Sequence, residues 1–263
     1  MDARGRGLAA LCVTEVVSWG SLYYAFPVLL GPIAVETGWS ATATVGAFST
    51  GAVVSAASGI VVGRLIDRRG PRLVMTAGSA LGVAALLAVA AAPSLPLFYL
   101  AWALGGVAQA ATFYPPAFAA ITGWYDEDRL RPLTTVTLVA GFASTVFAPL
   151  TALLVTHLTW RGSYVVLAVV LGVVTIPLHL LLLTPSWSRA GGSPGSVGEE
   201  AARARTVIRS PRFVLLAAVI TLAGFGLYAA TINLVPLLVG RGASLGTAAV
   251  GLGLVGVGQV GGR

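Results

Sequence analysis

The chain contains no lysine and one cysteine, and charged side chains make up only 10% of its 263 residues. A lone Cys12 excludes both a disulfide framework and a cysteine metal cluster. His157 and His179 have no cysteine or acid at ligand spacing, so no metal site is expected. The phosphate-binding pattern G-x-x-x-x-G-K-[ST] is missing, which excludes ATP hydrolysis in cis. G-x-S-x-G and H-E-x-x-H are missing too. No enzyme and no cofactor is expected on these grounds. A chain that is 57% hydrophobic, with mean hydropathy +0.90, also falls outside the soluble globular class.

What the chain does have is long apolar runs. Neither Thr37–Gly63 nor Leu73–Tyr125 carries a charge. About 20 apolar residues in a helix cross a bilayer core of roughly 30 Å, and a helix satisfies its own backbone hydrogen bonds there. Breaks at charges, prolines and glycines predict eight spans: Leu8–Leu30, Ala41–Val62, Leu73–Ala92, Leu95–Thr122, Pro132–Leu158, Ser163–Leu183, Phe213–Val239 and Ser244–Gly262. Pro93-Ser94-Leu95-Pro96 divides the third from the fourth, because proline disfavours helix at the residue before it. The first span is too long for a signal peptide, and no small-residue cleavage site comes after it.

The net charge of +7 and a pI near 10.3 would suggest nucleic acid in a soluble protein. Here the arginines edge the apolar spans, which reads as topology and contact with anionic lipid, without nucleic acid. Arg4, Arg6, Arg64, Arg68, Arg69, Arg72, Arg129 and Arg131 fall on one side with the arginines of segment 184–212, and only Arg161 and Arg241 on the other. The bias predicts an inner (plasma) membrane protein with a cytoplasmic N-terminus and central linker. Three parts are expected: a six-helix bundle over 1–184, a Gly/Ser/Pro-rich linker over 185–211, and two further helices over 212–263. The linker carries Arg189, Arg203, Arg205 and Arg209 against Glu199 and Glu200.

Between the second and third spans stands Gly63-Arg64-Leu65-Ile66-Asp67-Arg68-Arg69-Gly70-Pro71-Arg72, predicted as a tight loop. It resembles the loop between helices 2 and 3 of the major facilitator superfamily, whose pattern is G-x-L-x-D-R-x-G-R-R. Gly63, Leu65, Asp67, Arg68, Gly70 and Arg72 match, and Pro71 replaces one of the final basic residues. The chain also begins to repeat: Gly59, Val61, Gly63 and Arg64 return 199 positions later as Gly258, Val260, Gly262 and Arg263. Leu22-Tyr23 has an echo in Leu227-Tyr228. The whole chain thus resembles the first half of such a protein plus two helices of the second. The expected fold class is an all-α membrane protein: a facilitator-type six-helix bundle followed by an incomplete second bundle. The parent reading frame is expected to run on to about twelve spans at the usual 20 residues each.

That resemblance implies a secondary transporter, moving a small organic solute by alternating access and driven by a solute or proton gradient. The alternatives are an inactive fragment, or a non-transporting receptor or scaffold on the same fold. Glu15 is the only acid well inside a span, on the order of 10 Å into the first helix. Burying a carboxylate there is costly. Glu15, Trp19, Tyr23 and Phe26 have i, i+4, i+8, i+11 spacing and are expected on one face. Glu15 is read either as a proton or cation site or as an interfacial carboxylate paired with Arg4, Arg6 or a loop arginine.

In the fourth span the superfamily often has R-x-x-Q-G. Gln109 matches, but Gly106 stands where the arginine would be and Ala110 replaces the glycine. Gln109 is then a solute contact or an interhelical hydrogen bond. Trp19, Tyr23, Tyr24, Gln109, Phe113 and Tyr114 form the expected pathway, suited to a weakly polar or lipophilic solute such as a drug-like molecule or a monocarboxylic acid. Trp160-Arg161 resembles a W-R pair of organic-anion carriers, including monocarboxylate and oxalate types. The antiporter signature G-x8-G-x3-G-P-x2-G-G keeps only Pro149 in the fifth span.

Ala47, Gly51, Ser55, Gly59 and Gly63 repeat at i+4, a close-packing stripe in lipid. In the superfamily that stripe meets the eleventh helix at a gate. Gly63, Asp67, Arg68, Gly70 and Arg72 are expected to control the gate, with Asp67 capping a helix N-terminus or pairing with arginine.

Overall fold

The computed structural model describes residues 2–187 and 206–262. Arg189, Glu199, Glu200, Arg203 and Arg205 of the expected linker lie outside them, as does Arg263 of the echo. Every described secondary-structure element is helical. The helices are α1 (Ala3–Thr37), α2 (Ala41–Arg69), α3 (Pro71–Ala91), α4 (Leu95–Thr112), α5 (Tyr114–Tyr125), α6 (Leu130–Ala140), α7 (Ala143–His157), α8 (Trp160–Leu182), α9 (Pro211–Gly240) and α10 (Leu245–Gly261). Among the described residues, six helical stretches are long and apolar enough to cross a membrane. One of them, Leu95–His157, has 63 residues, roughly 95 Å of helix at 1.5 Å per residue, which is enough for two crossings. It folds back at a 3-10 turn over Asp126–Arg129. With the shorter α10, the stretches account for the eight predicted spans. This is an all-α, multi-pass membrane protein.

Local chemistry sets most of the boundaries. Asp2, Ser40, Thr159, Ser210 and Ser244 each accept a backbone N–H at the start of a helix, the usual work of a short oxygen-bearing side chain. Gly38 ends α1 in the left-handed region (φ 69°). Phe113 is extended and precedes Pro115 and Pro116 in the first turn of α5. Proline lacks the N–H that a continuing helix needs, so the predicted fourth span is two helices. The predicted fifth span is likewise broken, at Gly141 and Phe142.

The basic segment after the second span is not a loop. α2 runs unbroken through Gly63, Asp67 and Arg68 to Arg69, and the chain turns at Gly70 alone, whose φ is 78°. Arginine and aspartate at the end of a helix do not stop it, whereas a positive φ suits glycine and ends the ladder. Arg72 belongs to the first turn of α3. Asp67 neither caps α3, whose N-cap Gly70 receives no side-chain bond, nor pairs with an arginine. Among the described residues the one ion pair is Arg161–Glu36.

The glycine stripe also divides. A Cβ on Gly51 would lie 2.6 Å from Trp102 O, and one on Gly106 would collide with Gly51 O. α2 and α4 therefore cross backbone to backbone within the first six spans, not against a distant helix. Gly59 and Gly63 meet nothing within 4 Å. In lipid, where apolar side chains gain nothing by leaving the solvent, such small-residue crossings let dispersion hold helices together. α10 meets α7 in the same way: a Cβ on Gly256 would sit 2.5 Å from Gly141 O, and Thr145 Oγ1 donates to Gly253 O at 2.8 Å.

Side-chain bonds mark the two ends of the bundle. Arg72 Nε donates to Leu180 O (2.8 Å), and Trp124 covers Gly7. The other end is tied by Arg161, whose Nη1 donates to Ala90 O (2.7 Å) and Ala92 O (2.9 Å) while Nε meets Glu36 (3.0 Å). Its guanidinium lies 4.3 Å over the Trp160 ring. The antiparallel path puts Arg64, Arg68, Arg69 and Arg72 at the first end, away from Arg161.

Candidate functional site

A central cavity of about 680 Å³ lies between the first spans and the last two helices. α1 contributes Trp19, Tyr23 and Tyr24, and the α4–α5 break contributes Gln109, Phe113 and Tyr114. Trp19 stacks on Phe113 with ring centroids 4.0 Å apart and planes at 13°, and Tyr114 packs against the same indole at 5.2 Å. From the far side Tyr228 meets Tyr23 edge to face at 5.1 Å.

This wall depends on a change of helix type. α1 is α-helical to Trp19, π-helical over Gly20–Tyr24, and α-helical again from Ala25. The Phe147 ring occupies the space where a side chain at position 20 would go, so only glycine fits. Gln109 Nε2 crosses from α4 and donates to Leu22 O at 3.0 Å, giving an acceptor in the irregular turn its partner. Gln109 thus makes the interhelical bond and also lines the cavity.

The wider π turn rotates the later part of α1 relative to the earlier part, and the expected face of four residues breaks up. Trp19 and Tyr23 line the cavity, while Phe26 is buried away from it against Phe48, 4.3 Å between centroids. Glu15 does not line the cavity either. It is fully buried behind Trp19, whose Nε1 donates to Glu15 Oε2 at 3.1 Å. Oε1 has no partner among the described residues, and the expected pairing with Arg4 or Arg6 is not formed.

The six residues of the expected pathway therefore meet at one cavity, and Glu15, read from the sequence as a proton or cation site beside them, touches it only through Trp19. Sequence reasoning had placed Ser55, Gly59, Gly63 and Asp67 in packing or gating. The structure adds them to the wall, because α2 turns its lower stripe toward the open space. Thr231 and Gln259 were missed. The Leu227-Tyr228 echo and the Gly258–Val260 echo, which brackets Gln259, were the signals pointing at that side. No basic residue lines the cavity among the described residues, and Asp67 is its one charged group. Nor do the described residues hold a group of three or more His, Cys, Asp or Glu able to bind a metal.

An all-helical membrane protein with a cavity of this kind at its centre is the class that fold and site define. A family model described as Major Facilitator Superfamily matches residues 11–263, and the chain belongs to that superfamily. Its fold is similar to the crystal structure of a bacterial homolog of the human lysosomal transporter Spinster, in an inward-facing and unoccupied conformation. The TM-score is 0.77 at 18% sequence identity, and the match covers 98% of this chain and 60% of that one. The likeness at this identity is one of fold, and the chain spans about 60% of that protein's length. Comparison with curated proteins returns no match.

Proposed function

We propose that the protein is a secondary transporter in which the aromatic cavity holds a weakly polar or lipophilic organic solute during alternating access. The observation that carries this reading is the chemistry of the wall. Ring faces and small side chains surround about 680 Å³, the size range of a drug-sized site, and no basic side chain among the described residues faces it. A carboxylate solute would lose its hydration there with no cation in return, so a monocarboxylate is the less favoured cargo. The reading assigns no enzymatic step.

In this reading residues 1–184 form one bundle, 185–211 the linker, and α9 and α10 the start of the opposing wall. The arginine-rich end faces the cytoplasm of a bacterial inner membrane, and Asp67 stands at the cytoplasmic mouth. The inward-facing relative supports a cavity reached from that side. Glu15 is the proton site, linked to the solute through Trp19. Gly63, Asp67, Arg68, Gly70 and Arg72 act on the gate.

Uptake by proteoliposomes tests the reading, with the protein expressed from its complete open reading frame. Accumulation of a lipophilic amine or neutral dye that depends on a pH gradient, and falls when Trp19 becomes Ala, is the expected result. Transport of short monocarboxylates with lipophilic solutes excluded would overturn the assignment. A protein that binds the dye but moves nothing would favour a receptor or scaffold.

A further inference from the structure

A second groove lies outside the central cavity, at the arginine-rich end. It encloses about 530 Å³ between the start of α3 and the end of α8. Arg69 and Arg72 flank it on either side of the Gly70 turn. Leu73 and Leu180 form its membrane-facing rim, 54% and 40% exposed, and Trp187 closes the back. No acid lines it.

Three observations describe what would fit. First, Arg72 spends only its Nε, on Leu180 O. The rest of that guanidinium, and all of Arg69, have no partner among the described residues. Second, Trp187 is held in place by the backbone beneath it. Its ring lies against Gly123, where a Cβ would come within 2.6 Å, and its Cβ and Cγ lie 3.3 Å from where one would stand on Gly70. Its Nε1 is buried and donates to no described atom. A buried donor calls for an acceptor. Third, the basic side chains sit at one edge and the exposed leucines at the other. A ligand must therefore be anionic at one end, with several acceptor oxygens, and apolar at the other. Arginine forks match phosphate oxygens in this way, and tryptophan favours the membrane interface.

We propose that this groove binds the headgroup of an anionic phospholipid, its phosphodiester between Arg69 and Arg72 and an acyl chain along Leu73 and Leu180. The site requires only that the chain lies in a membrane, so it stands or falls separately from the transport reading.

Native mass spectrometry of the delipidated, full-length protein, titrated with phosphatidylglycerol or phosphatidylcholine, provides the test. The parent should prefer phosphatidylglycerol by roughly tenfold or more, as two arginines near a lipid phosphate lead one to expect. R69Q/R72Q should lose most of that preference, while R129Q/R131Q, which removes two arginines from the next basic turn, should keep it. R69Q and W187F made singly leave the Arg72–Leu180 bond intact. Each should weaken phosphatidylglycerol binding severalfold, with circular dichroism unchanged. Preference retained in R69Q/R72Q and in both single variants overturns the site. Equal loss in R129Q/R131Q overturns it too, since net basicity would then suffice. Displacement of the lipid by millimolar inorganic phosphate would show a small-anion site and overturn the lipid assignment.

Discussion

Adding one methyl group at Gly51 or Gly106 should weaken the bundle, while the same change at Gly59 or Gly105 should not. On Gly51 the new Cβ would stand 2.6 Å from Trp102 O, where ordinary contact begins near 3.4 Å, so α2 and α4 must part by about 0.8 Å. At Gly106 the collision with Gly51 O is closer still. The obstacle in both cases is backbone, which cannot rotate aside. A radial gap of 0.5–1 Å forfeits roughly a quarter to a half of each dispersion well along the seam. Overpacking of this kind costs about 1–3 kcal/mol. In a chain of this size that corresponds to a fall in Tm of about 2–10 °C. On Gly105 the Cβ would meet Trp102 at 3.5 Å, and on Gly59 it meets nothing within 4 Å. Thermal unfolding of the four alanine variants in one detergent, monitored by tryptophan fluorescence, reads the difference. If Gly106→Ala and Gly59→Ala unfold at the same temperature, the α2–α4 crossing is not as close as described and the packing argument fails.

Four other substitutions probe the cavity and the opposite end. Glu15→Gln should abolish proton-driven accumulation yet leave solute binding largely intact, because the amide oxygen can still accept from Trp19 Nε1; accumulation at the parental rate removes Glu15 from coupling. Asp67→Asn should slow turnover of every transported solute with little change in their relative affinities, whereas a shift in preference at unchanged turnover makes Asp67 a solute contact. Arg161→Gln removes two carbonyl bonds at the end of α3 together with the Glu36 pair. It should cost about 1–3 kcal/mol, as charged hydrogen bonds do. Glu36→Gln should cost under about 1 kcal/mol, because that pair is partly exposed and screened. Equal Tm shifts for the two would mean that the carbonyl bonds contribute nothing.

Much of the architecture was legible without coordinates. A bilayer admits few solutions, so uncharged runs such as Leu73–Tyr125 announce helices wherever a proline or glycine does not interrupt them. Ser40, Ser210 and Ser244 act within three residues of themselves, so the signals that start those helices are local ones. The six aromatic and polar residues that line the cavity from this side stand in two short segments, because α1 and the α4–α5 break each carry them close together in sequence.

Tertiary structure decided the remainder, since each remaining feature depends on residues far apart in the chain. Charge clustering at Gly63–Arg72 suggested a loop, but charge marks a membrane surface and does not break hydrogen bonds; the helix runs on to the residue with positive φ. The π turn owes its place to Phe147 pressing on Gly20 and Gln109 reaching Leu22, contacts spanning 127 and 87 positions. That turn alters the helical phase and moves Phe26 off the cavity, while Glu15, one regular turn before Trp19, is held behind it by the indole N–H. The small-residue stripe could not name its own partner either. Periodicity shows that a helix face is small, whereas only three-dimensional packing shows that Gly51 meets α4 and that Gly59 faces open space.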